Sequence, residues 1–419
     1  MIKVSNISIF LSVVVISLLA FQLGQIAFLD SREMSLSRIN QLIFAILFFF
    51  GFMLIILNSK IVMINYNALF IFLFFLTQIS FVFFIKNNID LLAFSFSRHS
   101  ALLWFLVGLF SSVALFNLYN HFSESKKKYQ SSYLSVLFLL IFCIFVMNLY
   151  GFSILGDIFL GISYQPAGAA GAKLIFLSQL IFIIFLGANS KYKYFTYFLI
   201  TLFAFPLVAG LFISGSALIL AFFITNSLAL LAAIVDLRPF KSATKLSFFL
   251  FFLILIFLYS LEILGELFFG TRLEGIQYGI FEIESVNSRI SRFNDFFVQF
   301  AVDPFIGNYD SHEIAGSGEG WYMHSVFLSL LSHSGILGFL IFSVGFIYTL
   351  IWQFNFSRNG NFVAYYLFWS LIAVFLLGSV VAFFTWTPLW FILGMSLVTL
   401  KRNKMSPNKD SIMAHKELN

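Results

Sequence analysis

Two arginines and a histidine in the C-terminal third of the chain are of the types that bind an anion and accept a proton. Arg289 and Arg292 stand three residues apart, and His324 follows a stretch rich in glycine and acids, residues 303–320. Residues three apart share one face of a helix, so both arginines are placed to hold one ligand. A guanidinium is a permanently charged planar fork that matches phosphate and carboxylate. An imidazole can take the proton of an attacking hydroxyl near neutral pH, since its ordinary pKa is about 6.5.

The surrounding sequence is typical of a protein with many membrane-spanning helices. Of the 419 residues, 61% are hydrophobic, 62 are phenylalanine and 10% are charged, and a water-soluble fold could not bury so much apolar surface. A spanning helix needs about 20 mainly apolar residues. The sequence predicts an all-α integral membrane protein with about 12 transmembrane helices, approximately at residues 7–29, 41–57, 68–85, 101–119, 133–150, 173–188, 195–213, 217–235, 246–264, 334–353, 363–383 and 388–400.

These helices divide the chain into four predicted parts. Transmembrane helices 1–9 occupy residues 1–264, a long outer loop residues 265–333, transmembrane helices 10–12 residues 334–400, and a cytoplasmic tail residues 401–419. A loop of this length in a tightly connected helical protein is usually functional or disordered, and the sequence of this one does not indicate disorder. Apolar residues at helical spacing predict a short amphipathic helix over 288–300 along the outer membrane surface, ended by Asp303-Pro304. Its apolar positions are Ile290, Phe293, Phe297 and Phe300.

The basic residues predict the orientation. With a cytoplasmic N-terminus, 16 of the 24 lysines and arginines lie on the cytoplasmic side, and both chain ends lie there too. The net charge of +6 is then explained by basic residues that set the topology and lie next to anionic lipids of the membrane. It requires no nucleic-acid partner.

Arginine and lysine are distributed differently across the predicted membrane. Six of the nine arginines fall outside, but only two of the 15 lysines do. Because arginine is the better partner for phosphate, this distribution favours an anionic ligand on the outer face. Ion pairs with nearby acids or lipid headgroups are the alternative explanation.

A pattern over residues 289–338 is more specific. It consists of Arg289 followed by Phe293, then Pro304-Phe305-Ile306-Gly307, then His324-Ser325 before a leucine-rich turn, and finally Gly335-Ile336-Leu337-Gly338. This pattern resembles the O-antigen ligase and O-antigen polymerase superfamily. The predicted number of spans and the place of the long outer loop agree with the resemblance.

The resemblance implies a metal-independent glycosyltransferase of the bacterial inner membrane that needs no cofactor. Direct displacement of the diphosphate predicts that the transfer inverts the anomeric carbon. Its donor would be a glycan on undecaprenyl diphosphate at the periplasmic face. The acceptor would be lipid A-core in a ligase or another lipid-linked glycan in a polymerase, with a chain-length regulator as a candidate partner. By similarity, Arg289 binds the diphosphate and His324 lies near the acceptor hydroxyl. Further substrate-binding candidates are Arg292, Arg38, Arg98, Asp310 and Glu319.

One part of the family pattern is missing. The outer turn between the seventh and eighth predicted spans commonly carries an arginine beside a serine, but residues 213–217 read Ile-Ser-Gly-Ser-Ala. Either another outer cation replaces it or carrier binding is weaker. The cations on the same predicted face are Arg32, Arg38, Arg98 and Lys173.

A transporter or flippase for lipid-linked glycans is the competing class. Transporters usually bury ionisable groups or helix breaks near mid-membrane, whereas here Glu262 is near a span end and Pro206 is the only proline deep within a span. The functional groups concentrate in one outer loop, which favours an enzyme. We expect His312 and His333 to lie at the interface or in solvent.

Overall fold

A computed structural model describes residues 4–28, 38–58, 61–87, 101–124, 293–307, 326–358, 361–377 and 387–401. Most of these residues are helical. Two of their helices, α4 and α6, are long and apolar enough to cross a membrane. The elements follow in the order α1 Val4–Phe28, α2 Arg38–Leu57, β1 Val62–Ile64, α3 Tyr66–Asn87, α4 Ala101–Glu124, α5 Phe293–Val302, α6 Val326–Arg358, α7 Phe362–Leu377, α8 Thr387–Ser396 and β2 Val398–Leu400.

Seven of the twelve predicted spans fall on described residues, and each overlaps one of the helices α1–α4 and α6–α8. The apolar runs therefore located these helices correctly. The other five lie outside the described residues: 133–150, 173–188, 195–213, 217–235 and 246–264. The number of membrane crossings stays a prediction.

The last predicted span, residues 388–400, is wrong at its C-terminal end. Helix α8 stops at Ser396, and Val398–Leu400 forms β2, which pairs antiparallel with β1, with Met63 opposite Thr399. Val398 and Thr399 are β-branched and fit a strand better than a helix. The backbone groups of β2 find their partners in β1, a segment far away in sequence, so the local pattern did not reveal the strand.

Helix α4 lies at the centre of the described bundle, packs most extensively against α8 and also contacts α1 and α2. Two glycines stand where α4 and α8 approach each other. A Cβ atom on Gly108 would collide with the backbone of Phe391, and one on Gly394 with the backbone of Phe105. Small residues let two helix backbones come close, so this pair of helices depends on them.

Replacing one of these glycines should separate the two helices. We expect Gly108→Ala to lower the free energy of unfolding by about 1–3 kcal/mol, because the added methyl meets backbone that cannot move aside alone. Gly345→Ala is the matched control, since its Cβ would meet side-chain atoms of Ile71 and Phe72, at 2.9 and 3.2 Å, and not the backbone of another helix. Thermal unfolding of each purified variant in detergent measures its loss of stability relative to the wild type. Equal losses in the two variants would contradict the close contact of α4 and α8.

A buried polar cluster links α1, α2 and α4. The Asn117 amide nitrogen donates to the hydroxyl oxygens of Ser8 and Ser12, at 2.8 Å each. The Ser8 hydroxyl in turn donates to Asn58 Oδ1 at 2.9 Å. All four side chains are buried. Hydrogen bonds between apolar helices stabilise a membrane protein by roughly 0.6 kcal/mol each on average. The main effect of this cluster is therefore to determine which faces of α1, α2 and α4 pack together.

Aromatic rings hold the middle of α6 in place. Phe342 of α6 is buried, and its ring centroid lies 5.4 Å from that of Phe75 in α3, 6.1 Å from that of Phe375 in α7 and 6.0 Å from that of Trp390 in α8. Such ring pairs stabilise by about 0.5–1.5 kcal/mol beyond their buried area. These contacts hold the part of α6 around Phe342 against α3, α7 and α8. The N-terminal part of α6 is therefore attached to a well-packed helix.

Candidate functional site

Helix α5 provides one side of the candidate site. The part of the predicted helix 288–300 that the structure describes is helical in α5, Phe293–Val302, which ends where Asp303-Pro304 was expected to end it. Its place along the outer membrane surface stays a prediction. Phe296 is buried and stacks on Phe300 with a centroid distance of 5.4 Å, whereas Phe297 is 63% exposed. The side of α5 that packs against the protein therefore includes Phe296, which the predicted stripe omitted. Helix α5 packs against α6.

A tight turn follows α5. The Gly307 N–H donates to the Asp303 carbonyl oxygen at 2.9 Å, and the Ile306 N–H lies 3.3 Å from Asp303 Oδ1. Gly307 has a φ of 96°, a backbone conformation that glycine adopts without steric cost. The aspartate and the glycine thus close a compact loop over residues 303–307, and this explains why both residue types stand at these positions.

Helix α6 contains a break at Gly335, which has a φ of 62° and a ψ of −174°. That region of backbone space is essentially restricted to glycine. In an uninterrupted α-helix, the Ile336 and Leu337 N–H groups would donate to carbonyls four residues earlier. Here they donate to the Pro304 carbonyl at 2.9 Å and the Phe305 carbonyl at 3.2 Å. The turn after α5 therefore supplies the acceptors that the break removes from α6.

The two glycines meet backbone to backbone. A Cβ on Gly307 would lie 2.6 Å from the Gly335 nitrogen and would collide with the His333 carbonyl; a Cβ on Gly335 would lie 2.7 Å from the Gly307 nitrogen and would collide with the Phe305 carbonyl. We call the turn 303–307 and the α6 segment 333–337 together the glycine clasp. It joins Pro304-x-x-Gly307 to the Gly335-Ile-Leu-Gly motif, two patterns far apart in the sequence.

His333 is the residue whose surroundings the sequence predicted least well. Its side chain is fully buried, so the expectation of a solvated His333 is wrong. The sequence predicts a helix from His324 with Phe327, Leu328 and Leu331 on its apolar side, and α6 does begin near there, at Val326. His333 is buried because the α6 segment before Gly335 packs against the turn after α5, a contact that the local pattern does not show. His333 thus lies inside helix α6 and is the first residue of the α6 part of the glycine clasp.

Most of the predicted site residues lie outside the described residues: Arg289, Arg292, Arg98, Asp310, Glu319 and His324, as do Ser214 and Ser216 of the outer turn. Arg38 is the first residue of α2, and its side chain is not described. The structure thus brings none of these side chains together. Arg292 directly precedes α5 in the sequence, and His324 stands two residues before α6.

Exposed apolar side chains surround the clasp. Phe305 is 71% exposed, and Ile306, Ile336 and Leu337 are exposed as well. In α6 the exposed side chains continue with Leu340. Backbone hydrogen bonds hold the turn and α6 together here, so these side chains form one apolar surface. Such a surface fits the boundary between lipid and water better than it fits bulk water.

Comparison of the chain with protein-family models found no match, and neither the curated proteins nor the solved structures gave a significant one. The resemblance of residues 289–338 therefore rests on its motifs alone. Among the described residues, no three histidine, cysteine, aspartate or glutamate side chains gather as metal ligands. Metal independence stays a prediction from the resemblance.

Proposed function

We propose that the protein is a membrane glycosyltransferase that moves a glycan from undecaprenyl diphosphate to a hydroxyl acceptor at the periplasmic face. It would act as an O-antigen or surface polysaccharide polymerase, or as an O-antigen ligase. The observation that carries the proposal is the glycine clasp. It packs two separate parts of the family-like pattern against each other, as expected if the pattern describes one site and not a chance similarity.

The reaction assigns a role to three of the predicted residues. The acceptor hydroxyl oxygen attacks the anomeric carbon and forms the new glycosidic bond. The bond from that carbon to the diphosphate oxygen breaks, and undecaprenyl diphosphate leaves with the electron pair. His324 accepts the hydroxyl proton, and Arg289 with Arg292 compensates the charge that develops on the leaving oxygens. A single displacement of this kind inverts the anomeric configuration.

The proposed membrane arrangement has twelve spans, both termini in the cytoplasm and the 265–333 loop in the periplasm. The pairing of β1 with β2 supports it. In that arrangement, the loop between the second and third spans and the end of the last span lie on the same, cytoplasmic, side. An antiparallel ladder between residues 62–64 and 398–400 requires both segments on one side.

The apolar surface around the clasp supports a site at the membrane boundary. The donor carries a long polyprenyl chain that stays in the outer leaflet while its diphosphate meets the protein. Exposed Phe305, Ile336 and Leu337 lie beside the turn that follows α5, and Arg292 directly precedes α5 in the sequence. A tail lying against this surface would place the diphosphate close to the outer arginines.

Transfer by the purified protein tests the function. The protein in detergent is incubated with undecaprenyl-diphosphate-linked repeat units and EDTA, with and without lipid A-core. Longer carrier-linked chains identify a polymerase, and product that needs lipid A-core identifies a ligase. The expected product has an anomeric configuration opposite to that of the donor. Retention would exclude a single displacement, and no product from either acceptor would overturn the proposal.

Transport of a lipid-linked glycan is the second candidate. Buried His333 favours it, because it directly precedes the tenth predicted span and buried ionisable residues of membrane helices often mark transport pathways. The same protein in vesicles distinguishes the two functions. A transporter moves the labelled donor from one leaflet to the other and makes no new glycosidic bond. The glycosyltransferase makes that bond in detergent, where no transport can occur.

A further inference from the structure

We propose that the glycine clasp is a positioning device for the transfer reaction, and that Gly307 and Gly335 set its rate without touching either substrate. The inference rests on the proposed function and extends it to two residues with no reactive side chain. The clasp joins the turn after α5 to α6. It thereby fixes where α5 begins, at Phe293, relative to where α6 begins, at Val326.

The starts of these two helices are the described residues nearest in sequence to the reacting groups. Arg292 is bonded to Phe293, and His324 is separated from Val326 by Ser325 alone. The reaction needs the leaving diphosphate and the attacking hydroxyl in line at one carbon atom. An error of about 1 Å between such groups can lower a rate about 10²-fold. A contact that fixes one helix start against the other therefore matters for the rate.

The clasp has a distinct alternative state. If Gly335 took helical dihedral angles, the Ile336 and Leu337 N–H groups would return to the Ser332 and His333 carbonyls, and α6 would run straight. The Pro304 and Phe305 carbonyls would then lose their donors. Straightening would also turn the segment Val326–Ser334 about Gly335, while Phe342 keeps the rest of α6 packed. The clasped state is thus one of two hydrogen-bonded arrangements of the same segment.

Glycine selects the clasped state for two reasons. An L-residue at position 335 would be strained at a φ of 62° and ψ of −174°, and its Cβ would also collide with the turn. An L-residue at position 307 would press its Cβ against α6. Alanine at either position therefore favours the straight, released form of α6, whose own helix stays intact.

The experiment measures kcat in the transfer assay for Gly307→Ala, Gly335→Ala and the control Gly345→Ala, each normalised to folded protein from size-exclusion chromatography. We expect the first two variants to lose about 10²-fold in kcat and the control to stay within about twofold of wild type. Ile336→Pro is a second probe. It removes the donor to Pro304 but suits the first position of a helix, so it weakens the clasp without forcing α6 straight.

A double variant separates positioning from general damage. In a His324→Ala background, Gly335→Ala should lower the remaining rate by less than about threefold, because the group that the clasp positions is already gone. The same large loss in both backgrounds would overturn the proposal, and so would glycine variants as active as the control. Wild-type protein that transfers no glycan would instead overturn the proposed function, and this inference with it.

Discussion

His324→Ala is expected to lower the rate of glycan transfer by about 10²–10⁴-fold, which is the usual contribution of a positioned general base. The alanine variant leaves the attacking hydroxyl without a proton acceptor, so only the uncharged, weaker nucleophile remains. Initial rates of product formation in detergent, at saturating donor, measure the loss. Folded protein is expected in normal yield, because residue 324 precedes α6 and the packed part of that helix lies further along the chain.

His312→Ala is the matched control for this variant. The substitution also removes a histidine side chain from the predicted outer loop. His312, however, lies outside the motif that contains His324. We expect it to keep the wild-type rate within about twofold, as surface substitutions usually do. A His324→Ala variant as active as His312→Ala would remove the histidine from the mechanism and leave the family resemblance without its central residue.

Arg289→Ala is expected to lower kcat by about 10²–10³-fold, the typical loss when one donor to a developing negative charge is removed. Arg289→Lys should recover only part of that loss, because an ammonium is a point charge and cannot hold two phosphate oxygens with a fixed fork. The lysine variant therefore separates the need for charge from the need for geometry. Rates at saturating donor, measured in the presence of EDTA, compare the three proteins.

Arg272→Ala provides the control for the arginine. Arg272 also lies in the predicted outer loop, but the motif does not include it. We expect this variant to lower the rate by no more than about threefold, through the general electrostatic attraction of the donor to the outer face. Equal losses for Arg272→Ala and Arg289→Ala would indicate a diffuse basic surface and not a specific diphosphate contact.

The choice between ligase and polymerase depends on the acceptor and not on these two residues. Both reactions need a departing diphosphate and a deprotonated hydroxyl, so under the proposal His324 and Arg289 would serve either one. The missing arginine near Ser214 bears on donor affinity instead. Under the proposal, Arg38→Ala and Arg98→Ala test which outer cation takes its place, by a rise in the KM for the donor.

Local sequence predicted well the features that depend on neighbouring residues. The apolar runs located α1–α4 and α6–α8, because any long apolar segment in lipid must satisfy its backbone within a helix. The end of α5 was equally predictable, since proline lacks an N–H group and restricts the residue before it. Helical spacing of apolar residues indicated α5 itself, but it missed buried Phe296 and included Phe297, which is exposed.

Features that depend on distant segments were not predictable in the same way. From the sequence, Val398–Leu400 looks like the end of an apolar helix. Only the pairing with β1 in the tertiary structure makes it a strand. His333 reads as a residue at the membrane interface or in solvent until the structure shows its side chain buried in α6. In both cases the local pattern is compatible with two structures, and contacts with a remote part of the chain select one of them.

The sequence by itself determined that the described residues are mostly helical and include helices of membrane-spanning length, and it singled out the pattern over residues 289–338. Only the tertiary structure decided that Gly307 and Gly335 meet, and that the turn after α5 caps the broken end of α6. The physical reason is that backbone N–H and carbonyl groups make this contact. Nearly every residue carries both groups, so residue types reveal where the chain can bend but not which distant backbone it meets.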